Sequence, residues 1–383
     1  MKILIATDWY KPIVNGVVTS VLNLETELRK RGHEVKVLTL SRDRKCAETE
    51  NTYYLKSYAA NKIYPKARVA LRISDDMLDE IVRWCPDIIH TQCEFSSFHI
   101  ARKIAERTGA PIVHTYHTVY EDYTHYFSPS KNLGRKAVVL FTRNILRKVD
   151  GVIAPTEKVT KILQNYGVET GIYTVPTGID MAQFQHEMSE QERNEMKKSL
   201  GIPAENTVLL FLGRLAKEKN IEELIEFSMR LEDRNTTLLI VGGGPDYDEL
   251  KKESKKLSPD TVVFTGMVPP ENIAKYYQLG DVFVSASQSE TQGLTYVEAL
   301  ASGLPALCRE DDCLEGVVVD GVNGYQYSGF DEFSRRLNDI MVDKSGDDSM
   351  SKNAKRIAQD EFSSTVFAKR AEDVYKMAIK DAE

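Results

Sequence analysis

Short runs of consecutive apolar residues recur along the chain, separated by longer stretches in which apolar positions fall three or four apart. The first set of runs covers residues 2–7, 35–40, 87–90, 112–115, 152–154 and 173–175. Between them, residues 17–31 and 100–108 carry helical periodicity, and the glycines Gly32 and Gly109 close them, the second followed by Pro111. Short apolar strands alternating with helices predict βαβ units and a parallel sheet. The stretch 181–199 is polar, charged and free of strand signals, and a domain boundary is expected near it. The alternation then restarts, with strands at 208–212, 237–241, 262–264 and 281–285 and helices from Ile221, near 247–256 and at 296–302, where Gly303 caps and Pro305 stops the last. A final helical pattern, 364–379, has no strand after it. The fold class expected is α/β, with two Rossmann-like domains facing one another across a cleft. Residues 1–180 form the first, 181–360 the second, and 361–383 a terminal helix returning to the first. In open α/β sheets ligands sit outside the carboxyl ends of the strands, so the loops that follow the strands are where chemistry is expected.

Composition narrows the class. With 383 residues, 42% hydrophobic and 28% charged, the chain is long enough for large cores and unlike a disordered, collagen-like or coiled-coil protein. No apolar run approaches the ~18–20 residues of a spanning helix. The opening MKILIATDWY reads as a first buried strand rather than a signal peptide, and five scattered cysteines (Cys46, Cys85, Cys93, Cys308, Cys313) read as reduced thiols of a cytosolic protein. Cys308 and Cys313 are close enough in sequence to pair, but are read as unlinked. The net charge of −7 is unevenly spread: residues 1–180 carry 26 basic against 20 acidic side chains, residues 181–383 carry 24 against 37. A basic half fits phosphate-rich surroundings, either nucleic acid or an anionic membrane.

Three strand-end loops carry candidate chemistry. After the first strand, Asn15-Gly16 falls where a helix begins; it suits an anion at the helix N-terminus, or is a plain turn. After the strand at 208–212 comes Gly213-Arg214-Leu215-Ala216-Lys217-Glu218-Lys219, whose Arg214 is placed to neutralise a ligand phosphate, with Lys217 read as solvated surface. After the strand at 281–285 comes Ser289-Glu290-Thr291-Gln292-Gly293-Leu294-Thr295-Tyr296-Val297-Glu298. The N–H groups from Thr291 to Leu294 suit a phosphate or sugar hydroxyls, and Glu290 and Glu298 reach different parts of one ligand across the helix start.

These segments, with Gly242-Gly243-Gly244-Pro245 and Val175-Pro176-Thr177-Gly178-Ile179-Asp180, resemble retaining glycosyltransferases of the GT-B fold over nearly the whole chain. The resemblance implies a donor held mainly by the C-terminal domain. Glu298 would hold the ribose hydroxyls, Glu290 the transferred sugar, Arg214 and Lys219 the diphosphate, with Thr291, Gln292, Gly293 and Leu294 at the helix start and Gly16 approaching from the N-terminal side. It also implies a histidine near the reacting face of the sugar, and His117 in His114-Thr115-Tyr116-His117-Thr118 matches it. His114 is read as a core histidine. A His-x-x-His pair can bind metal, but no further ligand recurs at a metal spacing, so no metal and no cofactor is expected. Further, His117-Thr118-Val119-Tyr120-Glu121-Asp122-Tyr123-Thr124-His125-Tyr126 together with Ser289-Glu290-Thr291-Gln292-Gly293-Leu294-Thr295-Tyr296, and also His90-Thr91-Gln92-Cys93-Glu94-Phe95-Ser96, resemble bacterial diacylglycerol glucosyltransferases. That resemblance implies UDP-glucose as donor and diacylglycerol as acceptor.

An independent cue concerns membranes. Between residues 131 and 149, Val138, Phe141, Ile145 and Val149 fall on one helical face, and Lys136, Arg143 and Arg147 on the other with Leu140 beside them. The basic face suits anionic lipid, and Lys62, Lys66, Arg68 and Arg72 are candidates to extend it. The expected location is cytoplasmic, peripheral on the inner face of the cell membrane. Two other classes fit less well. A glycoside hydrolase needs two carboxylates but no phosphate loop, and a nucleic-acid partner is not expected because no aromatic-rich RNA motif or recognition helix is present. Within the transferases, the alternatives are another glycolipid, a phosphatidylinositol-type lipid or a cell-envelope glycan as acceptor, and another sugar nucleotide as donor.

Overall fold

The computed structural model describes residues 1–383 apart from 43–46, 50, 61–66, 122–129, 186, 234 and 258–260. Cys46, Lys62, Lys66 and residues 122–126 of the motif quoted above lie outside the described residues. The chain forms two units, Met1–Ile179 with Ser364–Glu383, and Asp180–Ser363.

In the first unit the elements run β1 (Lys2–Ala6), α1 (Gly16–Lys30), β2 (Glu34–Leu40), β3 (Ala47–Thr49), β4 (Thr52–Leu55), β5 (Tyr58–Ala59), β6 (Arg68–Val69), α2 (Asp75–Trp84), β7 (Ile88–Thr91), α3 (Ser96–Thr108), β8 (Ile112–Thr115), α4 (Lys131–Leu146), β9 (Gly151–Ala154), α5 (Glu157–Asn165) and β10 (Ile172–Thr174). The main sheet has the order β10-β9-β8-β7-β1-β2-β4-β3, parallel except for β3. Its central strands are short, apolar and buried on both faces, as crossover helices on either side require. Chain order reverses between β1 and β7, so the loops after these two strands flank a switch point.

The second unit runs α6 (Glu190–Ser199), β11 (Thr207–Leu212), α7 (Ile221–Arg230), β12 (Thr236–Val241), α8 (Tyr247–Leu257), β13 (Val262–Gly266), α9 (Ile273–Leu279), β14 (Val282–Ser285), α10 (Leu294–Ala301), β15 (Ala306–Arg309), β16 (Gly324–Tyr327), α11 (Phe330–Ser345) and α12 (Ser349–Phe362). Its sheet is parallel throughout, in the order β13-β12-β11-β14-β15-β16, with the switch point between β11 and β14. The stretch 181–199, polar and without strand signals, contains α6. Ser189 and Glu192 close a capping box at its start, and Lys197 is buried with its ammonium on the carbonyls of Ala204 (2.9 Å) and Asn206 (2.7 Å). Polar residues therefore fold here because caps and backbone acceptors replace apolar contacts.

The last helix, α13 (Ser364–Ala382), belongs to the first unit. Phe367, Ala371, Val374 and Tyr375 pack with Ile3, Ile5, Val21 and Leu24 in one buried cluster. Ser364 N–H donates to the carbonyl of Ile179 at 2.8 Å, which ties the start of α13 to the end of the first stretch of this unit. Cys85, Cys93, Cys308 and Cys313 are free thiols.

Candidate active site

In the second unit three strand ends are stitched together by backbone. Gly213 N–H donates to Val241 O (3.0 Å), Leu215 N–H to Gly243 O (3.0 Å), and Gly242 N–H to Gly266 O (3.0 Å), joining the loops after β11, β12 and β13. So close an approach needs glycine. A Cβ on Gly242, whose φ is +139°, would lie 1.9 Å from Gly213 O, and one on Gly244 would lie 2.1 Å from Leu215 O. Gly242→Ala is therefore expected to cost about 3 kcal/mol through overpacking, read as a lowered midpoint in chemical denaturation. An unchanged midpoint would contradict the close packing.

The loop after β14 is tied to the loop after β11, because the hydroxyls of Ser287 (3.4 Å) and Ser289 (3.2 Å) both donate to the carbonyl of Glu218. This brings Lys219 onto Glu290, whose carboxylate accepts from the lysine ammonium; each side chain is 18% exposed. Gly293 then turns the chain into α10 with φ +73°, and a Cβ there would meet the Tyr296 ring at 2.4 Å. The Tyr296 ring is buried edge-on to Phe283, with its hydroxyl 3.0 Å from Ser285 Oγ, which fixes the start of the helix. Gln292 is buried, while Thr291 and Leu294 keep partial exposure. Arg214 is exposed directly after Gly213.

One helical turn beyond, Glu298 accepts from the buried Tyr277 hydroxyl at 2.8 Å, and the same hydroxyl lies 3.3 Å from the carbonyl of Thr295. Although the residue keeps some exposure, its carboxyl end lies deep among protein atoms, and burial pushes it up to about 7 against the downward pull of the tyrosine. The sequence-predicted Lys219, Glu290, Thr291, Gln292, Gly293, Leu294 and Glu298 thus occupy two loops and a helix start beside one switch point. Tyr277 escaped notice because it sits on α9; its place on an apolar helical face was the available signal.

In the first unit Gly16 is the exposed first residue of α1, and the Asn15 side chain accepts from Val18 N–H at 2.9 Å. An N-cap with glycine at N1 keeps the first turn open to approach. His117 follows β8, and its Nε2 lies 2.7 Å from Gln92 Oε1. Burial lowers its pKa to about 4; nearby Glu94 opposes this and His114 reinforces it. His114 lies within β8, fully buried, with Nδ1 2.8 Å from Thr91 Oγ1 and Nε2 3.5 Å from Glu94. For Glu94, burial would raise the carboxyl, but His114 and the Tyr120 hydroxyl (2.6 Å) outweigh it and hold it below its usual range. Asp8, after β1, accepts from the N–H groups of Ser97 (2.7 Å) and Ser96 (3.2 Å) at the start of α3, while burial raises it to about 6. Asp8 and Gln92 were not singled out from sequence; both directly follow strands, which was the signal. Among the described residues no group of three His, Cys, Asp or Glu is placed to hold a metal ion.

On α4, Lys136, Arg143 and the capping Arg147 are exposed, as are Leu133 (64%) and Leu140 (71%), while Val138, Ile145 and Val149 are buried and Phe141 is half-buried. The helix ends at Leu146, so Val149 packs from the following turn. None of the three cations makes an ion pair with a described residue. Arg68 lies on β6 and donates to Ser57 (2.7 Å to Oγ, 2.9 Å to O), which holds it in the unit; Arg72 is exposed. No helix among the described residues is long and apolar enough to cross a membrane.

Two family models match, "Glycosyl transferases group 1" over residues 192–357 and "Glycosyltransferase Family 4" over residues 14–183. Among curated proteins, the alpha-monoglucosyldiacylglycerol synthase of Streptococcus pneumoniae is 35% identical, covering 99% of this chain and 86% of that protein. The alpha-monoglucosyldiacylglycerol synthase of Acholeplasma laidlawii is 32% identical, covering 98% and 96%. Among solved structures, Anabaena HepE in complex with UDP and glucose superposes with a TM-score of 0.74 at 17% identity, covering 98% of this chain and all of that one. Sucrose-phosphate synthase from Thermosynechococcus elongatus gives 0.75 at 20% identity, covering 99% of each. These likenesses carry the GT-B fold.

Proposed function

Because the chain belongs to the glycosyltransferase family that includes the alpha-monoglucosyldiacylglycerol synthases, we propose that it transfers glucose from UDP-glucose to the free hydroxyl of 1,2-diacylglycerol with retained anomeric configuration. The observation that carries the donor half is the Lys219–Glu290 contact beside the Gly293 helix start, with Glu298 one turn on. An ammonium has three donors; with one on Glu290, two remain for diphosphate oxygens, and Arg214 adds a second cation. Glu290 holds hydroxyls of the sugar, and Glu298 those of the ribose. Charge building on the leaving diphosphate is met by these cations and the α10 N–H groups, so transfer needs no metal. The leaving phosphate takes the proton of the acceptor hydroxyl on the same face as it departs, which retains the configuration. His117, neutral at physiological pH, contacts the sugar. The acceptor half is supported by the two relatives and by α4, whose exposed leucines and cations suit an anionic bilayer; the location that goes with this reading is peripheral, on the inner face of the cell membrane.

Proton nuclear magnetic resonance of the product tests the stereochemistry. The small axial–equatorial coupling of an α-glucosyl anomeric proton is expected, and the large coupling of a β-glucoside would contradict retention. The raised Glu298 carboxyl adds a pH signature. Ribose hydroxyls donate to the carboxylate and lower its pKa on binding, so binding releases a proton. UDP-glucose affinity should therefore rise as pH increases through about 7. Calorimetric titration across that range should show the rise in the natural protein and a flat profile in Glu298→Gln; parallel profiles would remove Glu298 from the ribose.

A further inference from the structure

We propose that Gln92 is a positioning residue for His117: its side-chain carbonyl holds the imidazole as the Nε2–H tautomer, leaving Nδ1 as the ring's one lone pair, and His90 with Tyr375 of α13 fixes Gln92 in turn. The proposal deepens the reading of His117 as the group that contacts the sugar, and rests on it for its catalytic consequence.

Gln92 Oε1 lies 2.7 Å from His117 Nε2. A carbonyl oxygen only accepts, so this nitrogen carries the proton. The amide nitrogen lies 3.0 Å from Nε2 and 3.1 Å from Nδ1 of His90. Near-equal distances this short to both ring nitrogens put it over the imidazole face, where an N–H is a better neighbour than an oxygen. The nitrogens of His90 are themselves engaged, Nδ1 at 2.6 Å from the Tyr375 hydroxyl and Nε2 at 2.7 Å from Thr115 Oγ1. His90 and Tyr375 are fully buried, Thr115 is 1% exposed and Gln92 2% exposed. A side chain so enclosed has no water to turn toward, and reversing its amide would set its carbonyl oxygen against the electron-rich face of His90.

The chemistry follows from the two tautomers being nearly equal in energy in an unbiased ring. Fixing one makes every molecule present a lone pair at Nδ1, able to accept from a sugar or acceptor hydroxyl. Glu94, His90 and His114 are the other titratable groups around His117, and none occupies the position that Gln92 does at Nε2. Tyr375 comes from the end of the chain, which gives α13 a part in the site besides packing.

The test uses the full chain labelled with ¹⁵N-histidine, whose seven histidines are resolved by long-range proton–nitrogen correlation. The natural protein should show His117 as the Nε2–H tautomer. Gln92→Leu should show a tautomer mixture and lower kcat at least about twofold, the loss expected when two tautomers of similar energy share the population, with KM for UDP-glucose within about twofold. Gln92→Glu keeps the acceptor and adds charge, so the His117 pKa should rise by about a unit or more. Transfer by this variant should then fail at the acid end, where the imidazolium lacks a lone pair. An Nδ1–H tautomer in the natural protein, a pure Nε2–H tautomer in Gln92→Leu, or an unmoved His117 pKa in Gln92→Glu overturns the proposal. Should Gln92→Leu not fold, Gln92→Glu decides alone. His117→Ala separates the two readings: wild-type transfer by it removes the catalytic role of His117, while the tautomer result stands or falls by itself.

Discussion

Replacing Glu290 with alanine is expected to lower kcat for sugar transfer about a thousandfold, while affinity for UDP changes little. The carboxylate stands on the loop between β14 and α10, at the carboxyl edge of the sheet, held in direction by Lys219 and by two serines anchored on Glu218. A group fixed this way before the substrate arrives needs no reorganisation as charge develops on the sugar, and losing one such contact costs about two to three orders of magnitude in comparable sites. The proposed nucleotide contacts are Arg214, Lys219 and Glu298 instead, so UDP binding should survive. Stability should fall by no more than about 1 kcal/mol, because the Lys219 pair is partly open to solvent. Glu290→Gln keeps the shape and the hydrogen-bonding oxygen, and should retain more activity than alanine. Single-turnover transfer, UDP binding and a denaturation curve separate these effects. A folded Glu290→Ala variant with normal transfer would falsify the assigned role.

The second large effect concerns the membrane. Changing Lys136, Arg143 and Arg147 together to glutamine should weaken binding to vesicles containing anionic lipid by about two orders of magnitude, from about 1 kcal/mol per basic side chain at such a surface. All three are exposed on or at the end of α4 beside Leu133 and Leu140, so the folded state loses no buried contact. The loss should shrink as ionic strength rises, because salt already screens the interaction in the natural protein. Slow hydrolysis of UDP-glucose in solution should be unchanged. Vesicle sedimentation at two salt concentrations reads the effect, and equal binding by the triple variant would make this face ordinary solvated surface.

The strands that build both sheet centres are visible in the sequence because burial on two faces writes them as apolar runs, long in β1, β11 and β14 and reduced to two residues before His and Thr in β7 and β8. The edges were not. All three residues of β3 are exposed and β5 has two residues, so neither carries a periodic signal. The strands β15 and β16 have four residues each and give little signal, and the helices α11 and α12 are mostly polar on their outer faces. α6 lies in the stretch whose polarity pointed only to a nearby domain boundary, although Ser189 and Glu192 announce a capping box. At the candidate site, charged residues after strand ends stood out, since Arg214, Lys219, Glu290 and Glu298 have no reason to be there in a plain core. Their supports did not stand out. Tyr277 lies 21 residues before Glu298 on another helix, and Tyr375 lies 285 residues from His90. Contacts closed by tertiary folding leave no spacing for a sequence to show.

Transfer of radiolabelled glucose from UDP-glucose to diacylglycerol, in mixed micelles containing anionic lipid and with or without a metal chelator, tests whether this enzyme joins this donor to this acceptor. A single labelled product that migrates as monoglucosyldiacylglycerol, formed at the same rate in both arms, is expected. Absence of labelled lipid in both arms, while UDP-glucose still binds, would contradict the lipid acceptor; a product formed only without the chelator would contradict metal-free transfer.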